Sequence, residues 1–198
     1  MDLLAFTWNI GLKGELVGRA LADLKRRGVP FVAAFQEVPH GIERRYLTAQ
    51  DPDVTACGFQ RRGTDVGLKK ARNLLVLASQ SLKPKRWEAE GLAGRTAAGL
   101  VQLDGGKDVV VLAVHGPDQR NNPEDGVREQ LFGAHYRHFV RGLACELRGR
   151  AAEFKKPEED DGMIILGDFN ALPFSQEIST TAGLCTPVIA AGYPHCGS

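Results

Sequence analysis

Asp168 and Asn170 stand two residues apart in Gly167-Asp168-Phe169-Asn170, directly after the apolar run of residues 163–166. Side chains two apart on an extended segment face the same way, so this carboxylate and amide can converge on one water or one metal ion while Phe169 turns into the core. Gly, Asp and Asn are also turn residues, and a strand closing in an ordinary turn accounts for the tetrapeptide taken alone. Three other apolar runs close in the same manner: residues 3–8 in Asn9, residues 31–35 in Gln36-Glu37, and residues 108–114 in His115. Asn9, Glu37, His115, Asp168 and Asn170 together make a set of oxygen donors with one imidazole. Such donors suit a hard cation such as Mg2+, which takes one or two protein carboxylates and keeps waters for a substrate to displace. An imidazole beside it can bind or protonate a phosphate oxygen. Singly, Asn9 also reads as a turn residue, Glu37 as a cap for a helix around residues 40–49, and His115 as a hydrogen-bonded surface histidine. Ordinary turns give no reason for acid, amide and imidazole to follow one another in this order.

The elements that must position these residues are legible from periodicity. After the strand at 3–8, Leu12, Leu16, Ala20 and Leu24 recur at i, i+4 spacing with Val17 and Leu21 beside them, and Gly28 and Pro30 close the helix. The run 31–35 follows. Strand, helix, strand in this compass is a right-handed crossover between parallel neighbours, which puts Asn9 and Glu37 at the same edge of one sheet. Residues 108–114 give the strongest strand signal, and a helix over about 125–149 leads towards Asp168. Its apolar face, Phe132, Tyr136, Phe139, Val140, Leu143 and Leu147, fits packing on the outside of a sheet. His135 and His138 lie on it at i, i+3, a spacing that can bind metal, but no carboxylate accompanies them. About seven strands are expected in all.

Four segments, in order, resemble the motifs of the endonuclease/exonuclease/phosphatase superfamily: Thr7-Trp8-Asn9-Ile10, Phe35-Gln36-Glu37-Val38, Val114-His115 followed by Arg128-Glu129-Gln130-Leu131, and Ile165-Leu166-Gly167-Asp168-Phe169-Asn170. Asn73-Leu74-Leu75-Val76-Leu77-Ala78-Ser79 looks like the family's middle strand, and Pro173-Phe174-Ser175 like the continuation after its signature. The resemblance implies an α/β (α+β) protein, a four-layer α/β/β/α sandwich of two mixed sheets, in a single domain over 1–198. It also implies a metal-dependent hydrolase of phosphate esters. Glu37 with Asn9 would hold Mg2+ or Mn2+, Asp168 would orient or deprotonate the attacking water, Asn170 would fix that water in line, and His115 would stabilise charge on the phosphoryl oxygens. Arg72 and Asn73 are the candidate substrate-binding residues. The expected activity is a phosphodiesterase, a nuclease acting on nucleic acid. Two other readings stand beside it: a catalytically incomplete member that binds metal, nucleic acid or protein, and a phosphatase of a small phosphorylated metabolite. The family closes with an Asp-His pair that this sequence lacks before Ser198; His195, in Tyr193-Pro194-His195-Cys196, has no preceding aspartate and is not assigned to it. One sheet is therefore expected to be incomplete on its C-terminal side, its edge open to a second chain or to self-association.

Composition adds bounds. At 198 residues and 43% hydrophobic the chain suffices for one sizeable core. A formal charge of +1 does not by itself indicate nucleic acid. Locally, Arg61, Arg62, Lys69, Lys70 and Arg72 cluster, and Lys83, Lys85 and Arg86 precede Trp87. Phosphate backbones attract such clusters, although a solvated loop is their ordinary role, as it is for Glu158-Glu159-Asp160-Asp161. Cys57, Cys145, Cys185 and Cys196 have no paired short spacing, which argues against structural zinc and against a disulfide scaffold. Residues 1–10 carry no secretory pattern and no stretch approaches the ~20 apolar residues of a membrane helix. A cytoplasmic protein without a membrane span is the expectation.

Overall fold

Alternation along the first strands decides how the first crossover packs. In the computed structural model, β1 (Leu4–Asn9), α1 (Glu15–Arg26) and β2 (Phe31–Val38) follow in order, and β1 pairs with β2 in parallel, Asn9 opposite Gln36. Phe31, Ala33 and Phe35 on one face of β2 join Val17, Ala20, Leu21 and Leu24 of α1 in one buried cluster. Val32 and Ala34, on the other face, join a second cluster. Helical and strand periods thus meet at a single interface. The helix begins later than its apolar spacing suggests. Gly11 and Leu12 have φ of +54° and +66°, and this left-handed turn takes Leu12 off the helical face to which its spacing assigns it. Gly28, at φ +66°, turns the chain out of the helix ahead of Val29 and Pro30.

The described residues are 2–48, 51–60, 73–87, 95–116 and 162–168, all within the unit formed by Met1–Gly116 and Lys156–Phe169. They include α2 (Arg44–Leu47), β3 (Val54–Gln60), β4 (Asn73–Ser79), β5 (Lys85–Trp87), β6 (Thr96–Gln102), β7 (Asp108–His115) and β8 (Gly162–Asp168). Two four-stranded sheets result, ordered β1-β2-β4-β3 and β5-β6-β7-β8. Both are mixed: β1/β2 and β7/β8 are parallel and the other pairs antiparallel. The sheets pack face to face through Val32, Ala34, Leu74, Val76 and Ala78 on one side and Ala97, Val101, Val109, Val111 and Ala113 on the other, with Ile164 and Leu166 against them. Val110, Leu112 and Val114, on the opposite face of β7, are buried as well. Burial on both faces is why this strand is apolar throughout. Among the described residues neither sheet closes, and β1, β3, β5 and β8 are the outer strands. The expected helix at 125–149 and the rest of the chain beyond Asp168 lie outside the described residues. No helix among the described residues is long and apolar enough to cross a membrane.

β3, β5 and β6 have no strong apolar run, and the close approach of the sheets accounts for the composition of β3 and β6. A Cβ on Gly58 would sit 2.7 Å from the Ala98 carbonyl oxygen, and one on Gly99 2.6 Å from Cys57 Sγ. Only glycine fits this seam. Cys57 is wholly buried in it, and burial pushes its thiol up to about 12.

Outside the core, Lys25 ties the end of α1 to the segment before β3. Its Nζ donates to Asp51 at 2.7 and 2.9 Å and to Asp53 at 3.2 Å. Burial works against both charges, but the Lys25 hydrogen bond and the Asp53 backbone N–H hold the Asp51 carboxyl below its ordinary 3.8, while the two carboxylates raise Lys25 above 10.5. Because the Asp51 value is depressed on folding, its contribution is present above 3.8 and is lost as pH falls through the folded value. The Lys25 contribution is complete below 10.5 and is lost as pH rises through its raised value. These groups are partly exposed, so Lys25→Met is expected to cost about 1 kcal/mol or less at neutral pH. Urea unfolding of both proteins should show the difference shrinking at acid pH as Asp51 protonates; a constant difference down to about pH 2 would refute the assignment.

Candidate active site

The two parallel pairs end at the same place. β1 and β2 run together to Asn9 and Val38, and β7 and β8 run together until His115 stands opposite Asp168. From there Asn9 Nδ2 donates to Asp168 Oδ2 at 2.9 Å, a hydrogen bond from the first sheet to the second. Asn9 Oδ1 accepts the Gly11 N–H at 3.1 Å, which fixes the amide's orientation. Beside this pair His115 Nε2 lies 3.7 Å from Glu37 Oε1, with side-chain exposures of 8% and 15%. The His115 N–H donates to the Arg95 carbonyl at 2.9 Å, Arg95 Nη1 donates to the His115 carbonyl at 3.2 Å, and the Gly116 N–H donates to the Asp168 carbonyl at 2.8 Å. The backbone carrying the imidazole is therefore held on both sides.

Glu37 reaches this place because its strand breaks alternation. Simple alternation would put Glu37 on the same face as Phe35, towards α1. Instead, β2 pairs Phe35 with Leu75 and Val38 with Asn73, one residue more on β2 than on β4. Such a bulge re-aims side chains. Within it Glu37 has φ +54°, a left-handed backbone that costs a non-glycine residue roughly 1–3 kcal/mol and persists only when its surroundings fix it. The fixing bonds are Ile10 N–H to the Gln36 carbonyl at 3.1 Å and Leu12 N–H to the Glu37 carbonyl at 3.0 Å. The left-handed turn that removes Leu12 from α1 thus presents its N–H to Glu37.

Asn73 begins β4 at the same end of the sheet. It is wholly buried, and among the described residues neither Nδ2 nor Oδ1 has a hydrogen-bond partner. Of the residues singled out from sequence, the structure brings together Asn9, Glu37, His115 and Asp168, with Asn73 on the neighbouring strand; Asn170 and Arg72 lie outside the described residues. Sequence reasoning missed Thr7, Gln36 and Arg95, which bond to the site's own segments. Gln36 closes an apolar run, and Thr7 and Gln36 both lie in the segments that resemble the family's motifs, whereas Arg95 carries no such signal.

The donor set is two carboxylates, two amides and an imidazole. Among the described residues no group of three or more His, Cys, Asp and Glu is placed to hold a metal ion. A cation here would rest on one or two carboxylates completed by amide oxygen and water, which matches Mg2+ and not the nitrogen and sulfur sets of structural zinc.

No protein-family model matches the sequence, and no curated protein matches it. Solved structures do match the fold. The AP endonuclease LMAP from Leishmania major superposes with a TM-score of 0.54 at 12% identity, covering 84% of this chain and 54% of that one. Beta toxin from Staphylococcus aureus gives 0.52 at 13% identity, covering 92% and 71%. D. rerio TDP2, crystallised with single-strand DNA product, gives 0.49 at 16% identity, covering 92% and 64%. The chain spans less than two thirds of the first and third of these structures.

Gly167 sets the last constraint. A Cβ there would collide with the Val114 carbonyl, so any side chain forces β8 away from β7 immediately before Asp168. Gly167→Ala is expected to destabilise the fold by about 3 kcal/mol, the upper range for overpacking. Chemical denaturation measures this; wild-type stability in the variant would show that β8 does not approach β7 so closely.

Proposed function

We propose, on the premise that this chain has the fold of the endonuclease/exonuclease/phosphatase superfamily, that it is a divalent-metal-dependent phosphoesterase, a phosphodiesterase cleaving nucleic acid. The observation that carries the reading is the pairing of Asn9 with Asp168 across the two sheets, beside Glu37 and His115. Glu37 with Asn9 would hold Mg2+ or Mn2+, hard cations suited to carboxylate and amide oxygens. When bound, such a cation supplies Lewis-acid polarisation of a phosphoryl oxygen. Asp168, its rotamer fixed by the Asn9 amide, orients the attacking water and takes its proton as the oxygen bonds to phosphorus, while the ester P–O bond opposite breaks and its electron pair leaves on the ester oxygen. Asn170 holds that water in line. His115, mostly buried and braced by Arg95, donates to the phosphoryl oxygens as charge builds on them. Prepositioned charge of this kind acts without reorganisation during the reaction. The AP endonuclease among the structures of this fold supports a nucleic-acid substrate, as does the basic cluster ending at Arg72.

The decisive assay offers single- and double-stranded DNA, RNA and a simple aryl phosphodiester, with Mg2+, with Mn2+ and with chelator. Cleavage is expected only with metal. Glu37→Gln and Asp168→Asn should each reduce it by at least about a hundredfold, the usual cost of losing one such electrostatic contact. A folded protein inactive on every substrate would sink the proposal.

Asn73 and Arg72 are assigned to substrate binding. An unpartnered buried amide costs about 1–3 kcal/mol, so Asn73→Val is expected to leave stability unchanged or raise it while raising KM. Lower stability with unchanged KM would assign Asn73 to the fold alone.

A further inference from the structure

We infer that Gln36, acting through Thr7, is the positioning residue that sets Asn9 against Glu37 and thereby tunes the site's affinity for a divalent cation; the inference rests on the metal-dependent reading above. Gln36 is wholly buried, an uncommon place for its residue type. Its Nε2 donates to Thr7 Oγ1 at 3.0 Å and to the Ala34 carbonyl at 3.3 Å, and the Thr7 hydroxyl stands 3.4 Å from its Oε1. Its backbone carbonyl accepts the Ile10 N–H at 3.1 Å. One residue thus grips β1 on both sides of Asn9, by its side chain at residue 7 and by its backbone at residue 10. Asn9 is its register partner and Glu37 its immediate neighbour.

Packing alone gives no reason for an amide here. Val32 and Ala34, on the same face of β2, belong to the apolar cluster between the sheets, and an apolar side chain would continue that cluster. What the amide adds is a fixed tie to β1 at the point where the strand delivers Asn9. It also anchors Gln36 inside the bulge, directly before the left-handed Glu37. Partners that orient ligating groups typically carry 10- to 100-fold in metal affinity.

The test is Mn2+ binding, followed by the electron paramagnetic resonance of the free ion, for wild type, Thr7→Val, Thr7→Ser and Gln36→Met, with steady-state kinetics at saturating cation. Thr7 is exposed on an outer strand, so its hydroxyl can be removed without disturbing the core; if Thr7→Val does not fold, Thr7→Ala carries the same test. Thr7→Val and Gln36→Met are expected to weaken Mn2+ binding by about tenfold or more. Thr7→Ser is expected to bind as wild type does, and KM at saturating Mn2+ should be unchanged. Wild-type Mn2+ affinity in folded Thr7→Val overturns the inference and leaves the metal-dependent reading standing. Absence of Mn2+ binding by the wild-type protein overturns both.

Discussion

The hydrogen bond from Asn9 to Asp168 joins residues 159 positions apart, and the rest of the structure is arranged so that it can form. Each partner terminates a strand in a parallel pair, and parallel neighbours end at one level by construction. α1 is the crossover that makes β1 and β2 parallel. The apolar layer between the sheets sets how far apart the two strand ends lie. Side chains there are small, Ala34, Ala78, Ala97 and Ala113 among them, and Gly58 and Gly99 permit backbone to meet its neighbour directly. A thicker layer would keep the sandwich and separate the amide from the carboxylate.

Two features of the site run against stability. Glu37 occupies a backbone region that non-glycine residues avoid, and Asn73 buries a carboxamide that has no partner among the described residues. Both lie at the end of the first sheet where Asn9 emerges, whereas the core away from it follows the ordinary rules of alternation and burial. Leu12, the residue whose N–H meets the Glu37 carbonyl, is also left-handed at this end, whereas Lys83, the third non-glycine residue of positive φ among the described residues, lies beyond the other end of β4.

What the sequence revealed and what it hid follow one physical line. Asn9, Glu37, His115 and Asp168 were legible because each interrupts an apolar run, and a polar residue at that point needs a reason. β1, β2, β4, β7 and β8 were legible for the same cause. β3 and β6 were not, because alanine, glycine and threonine serve a tight seam as well as they serve a loop. Leu12 misled because its spacing is helical while its backbone is not, and no periodicity reports a positive φ. The bulge at Glu37 was hidden too: alternation alone sends its side chain to the wrong face. Gln36 looked like part of a motif, and only its two grips on β1 distinguish it from its neighbours.

The seam between the sheets has a consequence for reactivity. Thiol reagents attack the thiolate, and Cys57 is both shielded and held as the thiol by its surroundings. In the closed sandwich it is chemically silent. Alkylation at Cys57 therefore waits for β3 and β6 to part, and its rate, read at that residue apart from Cys145, Cys185 and Cys196, clocks that opening. β3 and β6 pack on the side of the sandwich away from β1 and β8, so this native sulfur atom reports on the packing of the two sheets without lying in the site.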